Sequence, residues 1–435
     1  MIYKFRAFFN KTTNKLDIHT LDVLKKSASS TLIKILGMLV SLIISIFLGR
    51  RLGAYGLGII NLATTIVNIL LVFTIFGFQN VIIKKLSIAK EVKDWKQIRS
   101  VLFTSRVFNG ALAVFISILF ITLTPYLCDY IFEDSNLKIP LVIAVAMIVP
   151  QTFSRIYGSA LNGFSKIWQS SLVNEVLSIW TVGIGILFYL FFEIKITVVT
   201  VAILYAIGRL VVTVFVGAYW NRIFKNRGDK EFVIRPMLKM ALPLVLVTGV
   251  AIVTSSSDKL MLGWLSSSSE VGIYSVASRL SLLISFFLIV SNAAISPKLA
   301  SLYANKRTGE MKILVKRVTG VLILIGLFFL IFFFVFGNTI LEVWGKEFTE
   351  AYWILVVLSI GQFINVASGC VGLILVMCDL EKIHGYISFF GMFLNLGLNY
   401  FLILDYGAMG AAIATSIIVI LENTTKYIIV KIKIF

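Results

Sequence analysis

Apolar stretches dominate the chain and recur at about 32–48, 58–78, 101–123, 139–160, 171–192 and 197–218. After a basic break at 219–239 they resume at about 240–264, 271–296, 313–337, 351–377, 386–404 and 407–429. A helix rises about 1.5 Å per residue, so roughly 20 apolar residues cross the hydrocarbon of a bilayer. Each stretch is therefore expected to be a transmembrane helix, the backbone form that satisfies its own polar groups in lipid. The segments at 32–48 and 407–429 qualify despite Lys34 and Glu422, and glycines within them suit close helix packing. The pattern predicts an all-α integral membrane protein of about twelve helices.

Composition agrees. Of 435 residues, 59% are apolar and only 14% charged, too little polar surface to coat a water-soluble globule. The net charge of +19 would suit nucleic acid, but its distribution argues otherwise. With the N-terminus inside, the cytoplasmic segments are 1–31, 79–100, 161–170, 219–239, 297–317, 378–385 and the tail from Lys426, and they hold 29 of the 40 Lys and Arg. The opposite loops hold five, against nine Asp or Glu. That asymmetry follows the positive-inside rule, so both termini are expected in the cytoplasm and no nucleic-acid partner is expected. The linker around Asn226 is expected on the same side. The first apolar run is expected to serve as its own insertion signal. Three cysteines (Cys128, Cys370, Cys378) and two histidines (His19, His384) supply neither a metal spacing nor a disulfide framework. No cofactor or metal is expected.

The chain also repeats itself. GIINLA at 58–63 matches GIYSVA at 272–277, an offset of 214 residues, and FGFQNVIIKKLS at 76–87 meets VSNAAISPKLAS at 290–301 in the same register. Both matches fall at the second helix of a six-helix half. An even number of helices per half makes the repeats parallel, related by an axis along the membrane normal. The expected organisation is a basic N-terminus (1–31), an N-lobe (32–218), a linker (219–239), a C-lobe (240–429) and a tail (430–435).

Three segments resemble a known family: LGRRLGAYGLGIINLA (48–63), TSSSDKLMLGWLSSSSEVGIYSVASRL (254–280) and NLGLNYFLILDYGAMGAAIATS (395–416). They are similar to the O-antigen flippases and related polysaccharide exporters of the multidrug/oligosaccharidyl-lipid/polysaccharide superfamily. The resemblance implies two six-helix bundles in a V around a central cavity and transport by alternating access. It also implies a bacterial plasma membrane, an undecaprenyl-pyrophosphate-linked oligosaccharide as substrate, a proton or sodium counter-ion and other polysaccharide assembly proteins as partners.

Ionisable groups inside a membrane are costly and usually face protein or a watery cavity. Six cations remain there, Lys34, Arg106, Arg155, Arg209, Lys259 and Arg279, against Glu175, Asp258 and Glu422. A cavity of that sign attracts anions, and guanidinium forks match phosphate oxygens. Arg209 and Arg279 lie deepest and are the foremost cavity candidates; Arg106, Arg155 and Lys34, nearer helix ends, have snorkelling as the alternative, and for Arg106 and Arg155 a structural pair with Glu175 is another. Asp258 and Lys259 suggest a gate or inter-helix pair, since neighbours in sequence do not share a helix face. Glu175 and Glu422 are candidate ion-coupling sites, with an i,i+4 pair to Lys426 as the structural alternative for Glu422. Trp180, Tyr157 and Tyr205 are candidate sugar-stacking aromatics. A drug exporter of the same superfamily would need an acidic cavity, and a polymerase or ligase would need a large external loop. The longest here, 124–138, has neither His nor Arg.

Overall fold

The computed structural model describes residues 18–224 and 229–435; much of the basic N-terminus and Asn226 in the linker lie outside them. The described backbone is helical wherever the apolar pattern asks for it. In chain order the helices are α1 (Ile18–Ile75), α2 (Phe78–Glu91), α3 (Trp95–Tyr126), α4 (Lys138–Ala146), α5 (Ile148–Gly163), α6 (Ile167–Ser171), α7 (Leu177–Phe191) and α8 (Val198–Ile223). The second half holds α9 (Ile234–Leu265), α10 (Ser268–Ala304), α11 (Thr308–Glu342), α12 (Tyr352–Ala367), α13 (Val371–Met377) and α14 (Glu381–Lys433).

Polar residues set the helix starts, because the first N–H groups of a helix need acceptors. Asp94 accepts from Gln97 N at 2.9 Å to open α3, and Ser267 accepts from Glu270 N at 3.3 Å to open α10. Thr197 and Thr200 cap α8 reciprocally, with backbone-to-hydroxyl distances of 2.7 and 3.2 Å.

Among the described residues nine helices are long and apolar enough to cross a membrane, ten counting the bent pair α6–α7. Two of these contain a reversal. Gly53 (φ 72°) breaks α1 and Gly407 (φ 54°) breaks α14, positions where a Cβ would be strained. Across Gly407 the chain turns back so tightly that a Cβ on Gly410 would meet the carbonyl oxygen of Leu402. The first limb of α1 runs alongside α10, with Ser41 bonded to Arg279. Its second limb runs down α9, from Leu62 against Gly263 to Val72 against Gly249. Counting each reversal, the spans are compatible with the twelve passages that hydropathy predicts.

The two halves of the chain meet at their second passages. A Cβ on Gly58 would collide with the carbonyl oxygen of Ser268, and one on Gly272 with that of Ala54. These are equivalent residues of the internal repeat, in contact with each other as a two-fold axis between the halves would place them. A continuous core unites both halves there: Leu57, Ile59, Leu62, Val271, Tyr274 and Ala277 are all buried.

Candidate functional site

The cationic side chains expected at a cavity divide into separate groups. Arg279, half-buried on α10, donates from Nη1 to the carbonyl oxygen of Ser41 at 3.1 Å and to its Oγ at 3.4 Å. With Lys34 it lines a crevice of about 440 Å³ between the halves, walled by the first limb of α1, by α7, and by Leu283, Phe286, Phe287 and Phe329. Two cations in an otherwise apolar crevice suit a ligand that is both anionic and oily.

Arg209, half-buried on α8, lies within electrostatic reach of Arg155 on α5. The hydroxyl of Tyr205, one turn before Arg209, is within reach of both Arg209 and Arg279, and Lys259 is within reach of Arg279. Tyr205 is thus a neighbour of both Arg209 and Arg279, and each arginine has a further cation in its surroundings, Arg155 or Lys259. Arg155 also lines a second crevice, of about 340 Å³, with a polar wall of Asn68, Gln79, Asn80, Thr248, Ser255 and Ser256. Amides and hydroxyls of this kind match the alternating donors and acceptors of a sugar.

Arg106 is elsewhere. It lines a peripheral pocket with Arg99 and Lys230, and its Nε donates to Leu102 O at 3.2 Å. Of the sugar-stacking candidates, Tyr205 is a neighbour of Arg209 and Arg279, Tyr157 packs against Gly217, and Trp180 is partly exposed on α7.

Asp258 is buried on α9 and joins three helices. Tyr274 Oη on α10 donates to its Oδ2 at 2.5 Å, and Asn399 Nδ2 on α14 donates to its Oδ1 at 3.4 Å. Asn399 also donates to Asn395 Oδ1 at 3.0 Å, which accepts from Ser257 Oγ at 2.9 Å. Thr415 Oγ1 stands 3.4 Å from the Tyr274 hydroxyl. Among the described residues Asp258 has no ion pair within 4.0 Å, and the Oδ1 of Asn399 is buried without a hydrogen-bond partner. An unpaired buried carboxylate is costly unless it takes up a proton or a cation. Glu422 is satisfied by contrast: Lys426 Nζ lies 2.5 Å from its Oε2 and Ser388 Oγ donates to it at 3.4 Å. The side chain of Glu175 lies outside the described residues; its backbone sits in a π-helical turn, Leu172–Val176.

Charge inspection alone passes over Tyr274, Asn395, Asn399 and Thr415. The available signal is two asparagines four residues apart within an apolar helix, which share a face.

On the face of the acidic loops hydrogen bonds join the halves. Glu347 accepts from Ala54 N at 2.9 Å, and Asp134 Oδ2 accepts from Ser268 Oγ at 2.6 Å. Each half thus sends a carboxylate to the start of the other half's second passage, where helix N–H groups favour negative charge. Arg50 Nε donates to Val343 O at 2.7 Å and Trp344 Nε1 to Ser45 Oγ at 3.2 Å.

Comparison with known proteins agrees with this architecture. The profile of the family described as "Polysaccharide biosynthesis protein" matches residues 23–303, and that of the family described as "MatE" matches residues 243–401. A putative O-antigen transporter of Shigella flexneri is 22% identical over 385 residues, covering 86% of this chain and 90% of its own. An inward-facing multidrug resistance MATE family transporter superposes with a TM-score of 0.75 at 14% identity, over 93% of this chain and 98% of its own. The lipid II flippase MurJ, in an inward closed conformation, gives 0.74 at 15% identity, over 93% and 87%. Likeness at this identity shows a shared fold.

Proposed function

Since the chain belongs to the polysaccharide biosynthesis protein family, we propose that it is an alternating-access flippase for an undecaprenyl-pyrophosphate-linked oligosaccharide, a building block of O-antigen, capsule or a similar surface polysaccharide. It is a multi-pass transporter and not an enzyme. The observation that carries the reading is a pair of crevices between the halves, an apolar one lined by Arg279 and Lys34 and a polar one lined by Arg155; in this reading Arg209 and Tyr205 complete a cation track from one to the other. A polyprenyl tail suits the phenylalanine-lined wall, a pyrophosphate suits the cation track, and sugars suit the amide and hydroxyl wall. In this reading residues 32–218 and 240–429 are the two moving lobes, and the basic face is cytoplasmic. The contacts of Glu347, Asp134 and the Gly58–Gly272 crossing close the outer gate.

The match to the second family raises the alternative of a drug exporter. A cationic drug would have to enter crevices lined by Lys34 and Arg279 or by Arg155, so repulsion disfavours it.

The test is to delete the gene in its native host and locate lipid-linked repeat units by leaflet. Accumulation on the cytoplasmic side, relieved by the wild-type gene, is the expected result. Units that reach the outer leaflet without this protein would overturn the flippase reading.

Asp258 is the coupling carboxylate in this proposal, binding a proton or sodium among the oxygens of Asn395, Asn399 and Tyr274. Asp258→Asn keeps the shape and removes the charge. In vesicles with imposed gradients it is expected to lose stimulation of transport by the driving ion while substrate binding stays within about twofold. Undiminished stimulation would exclude Asp258 from coupling.

A further inference from the structure

We propose that the peripheral basic pocket at the start of α3 binds the phosphate of an anionic phospholipid from the leaflet on the basic face. The inference rests on that face being cytoplasmic, and does not depend on what the protein transports.

On α3 the exposed residues Val107, Val114, Phe115 and Ile118 form an apolar stripe toward lipid. Followed toward the basic face, the stripe turns cationic: Arg99, Phe103 and Arg106, spaced as i, i+4 and i+7, lie along one side of the helix. Arg99 and Arg106 are about 10 Å apart along the axis, comparable to the thickness of a headgroup layer. Together with Lys230 they line a cavity of about 440 Å³, floored by Trp220 and Phe224, and no carboxylate among the described residues lines it. Lys230 Nζ stands 4.5 Å from the centroid of the Phe103 ring, which holds the ammonium at the pocket mouth. The nearby acid Glu231 is engaged with Lys96 at 2.5 Å.

Two features separate this pocket from the transport route. It lies on the outer flank of the first half, whereas the two crevices lie between the halves. Its cations, Arg99, Arg106 and Lys230, line neither of those crevices. The continuity with the lipid-facing stripe favours a lipid over a free anion: the phosphate meets Arg99, Arg106 and Lys230 while the acyl chains follow Val107. Basic pockets between helices at this depth are suited to acidic headgroups.

The pocket also touches the connection between the halves. Glu231 N donates to Ser100 Oγ at 3.0 Å and Val233 N to Thr104 Oγ1 at 2.9 Å, fastening the segment that carries Lys230 onto α3. A lipid bridging Lys230 to Arg99 and Arg106 would tie that segment further, so anionic lipid content would tune how freely the halves move.

The test uses full-length protein reconstituted in equal parts phosphatidylglycerol and phosphatidylethanolamine, then stripped with detergent and weighed by native mass spectrometry. Wild type is expected to retain one phosphatidylglycerol in preference to phosphatidylethanolamine. The exposed-residue variant Lys230→Gln is expected to weaken retention about fivefold and Arg99→Gln/Arg106→Gln more, on the basis of about one such factor per cation. Lys316→Gln, an exposed lysine of the second half, should change nothing. Equal retention of both lipids by wild type, retention unaffected by the pocket variants, or displacement by inorganic phosphate would each overturn the proposal.

Discussion

Arg279→Ala is expected to lower surface polysaccharide at least tenfold in a complemented deletion strain, with Arg209→Ala close behind and both proteins inserted at wild-type levels. A hydrogen bond to a charged group is worth about 1.5–3 kcal/mol, or roughly 10- to 100-fold in affinity. Arg279 also contacts the first limb of α1 through Ser41, so its loss would remove an anion contact and loosen one link between the halves. Arg279→Lys separates these effects. It restores the charge without the planar fork that grips two phosphate oxygens, so it should rescue export only in part. Full rescue would reduce Arg279 to a point charge, and normal polysaccharide in both alanine variants would sink the cationic-track mechanism. Glu422→Gln is a useful contrast, because that carboxylate is already matched by Lys426.

The second large effect is steric. Gly58→Leu and Gly272→Leu are each expected to prevent closure of the outer face and to reduce export more than tenfold. A Cβ at either glycine collides with the backbone carbonyl of the opposing helix, Ser268 or Ala54. Backbone cannot rotate away as a side chain can, and overpacking at a tight contact is destabilising. The halves must then separate, taking with them the contacts of Glu347 with Ala54 and of Asp134 with Ser268. The measurement is reaction of an impermeant thiol reagent with Ser255→Cys, a residue of the polar crevice. The three native cysteines are buried and should contribute little background. Faster labelling from outside in the glycine variants is expected. Unchanged labelling together with normal export would show that this crossing is not the outer gate. Should the leucine variants fail to insert, the alanine variants present the same clash with less bulk and serve the same test.

The amino-acid sequence by itself determined the solvent and the helices. Long apolar runs can only be helices in lipid, because every backbone N–H and C=O must be paired within the segment. The pairing of 58–63 with 272–277 placed the two glycines that meet at the axis, although identity of spacing could not show that they touch. The tertiary structure alone decided which charges lie together. Lipid and protein interior are equally apolar, so an intramembrane helix carries no amphipathic stripe to say which side faces inward. For that reason Arg106 and Arg155 look alike in sequence, yet one lines a peripheral pocket and the other a crevice between the halves. The polar node at Asp258 was hidden for a related reason. It is assembled from Tyr274, Asn395 and Asn399, residues separated by up to 141 positions, and neutral amides leave almost no mark on hydropathy or charge. What the chain announces locally is where it crosses the membrane; what the crossings do depends on which faces packing brings together.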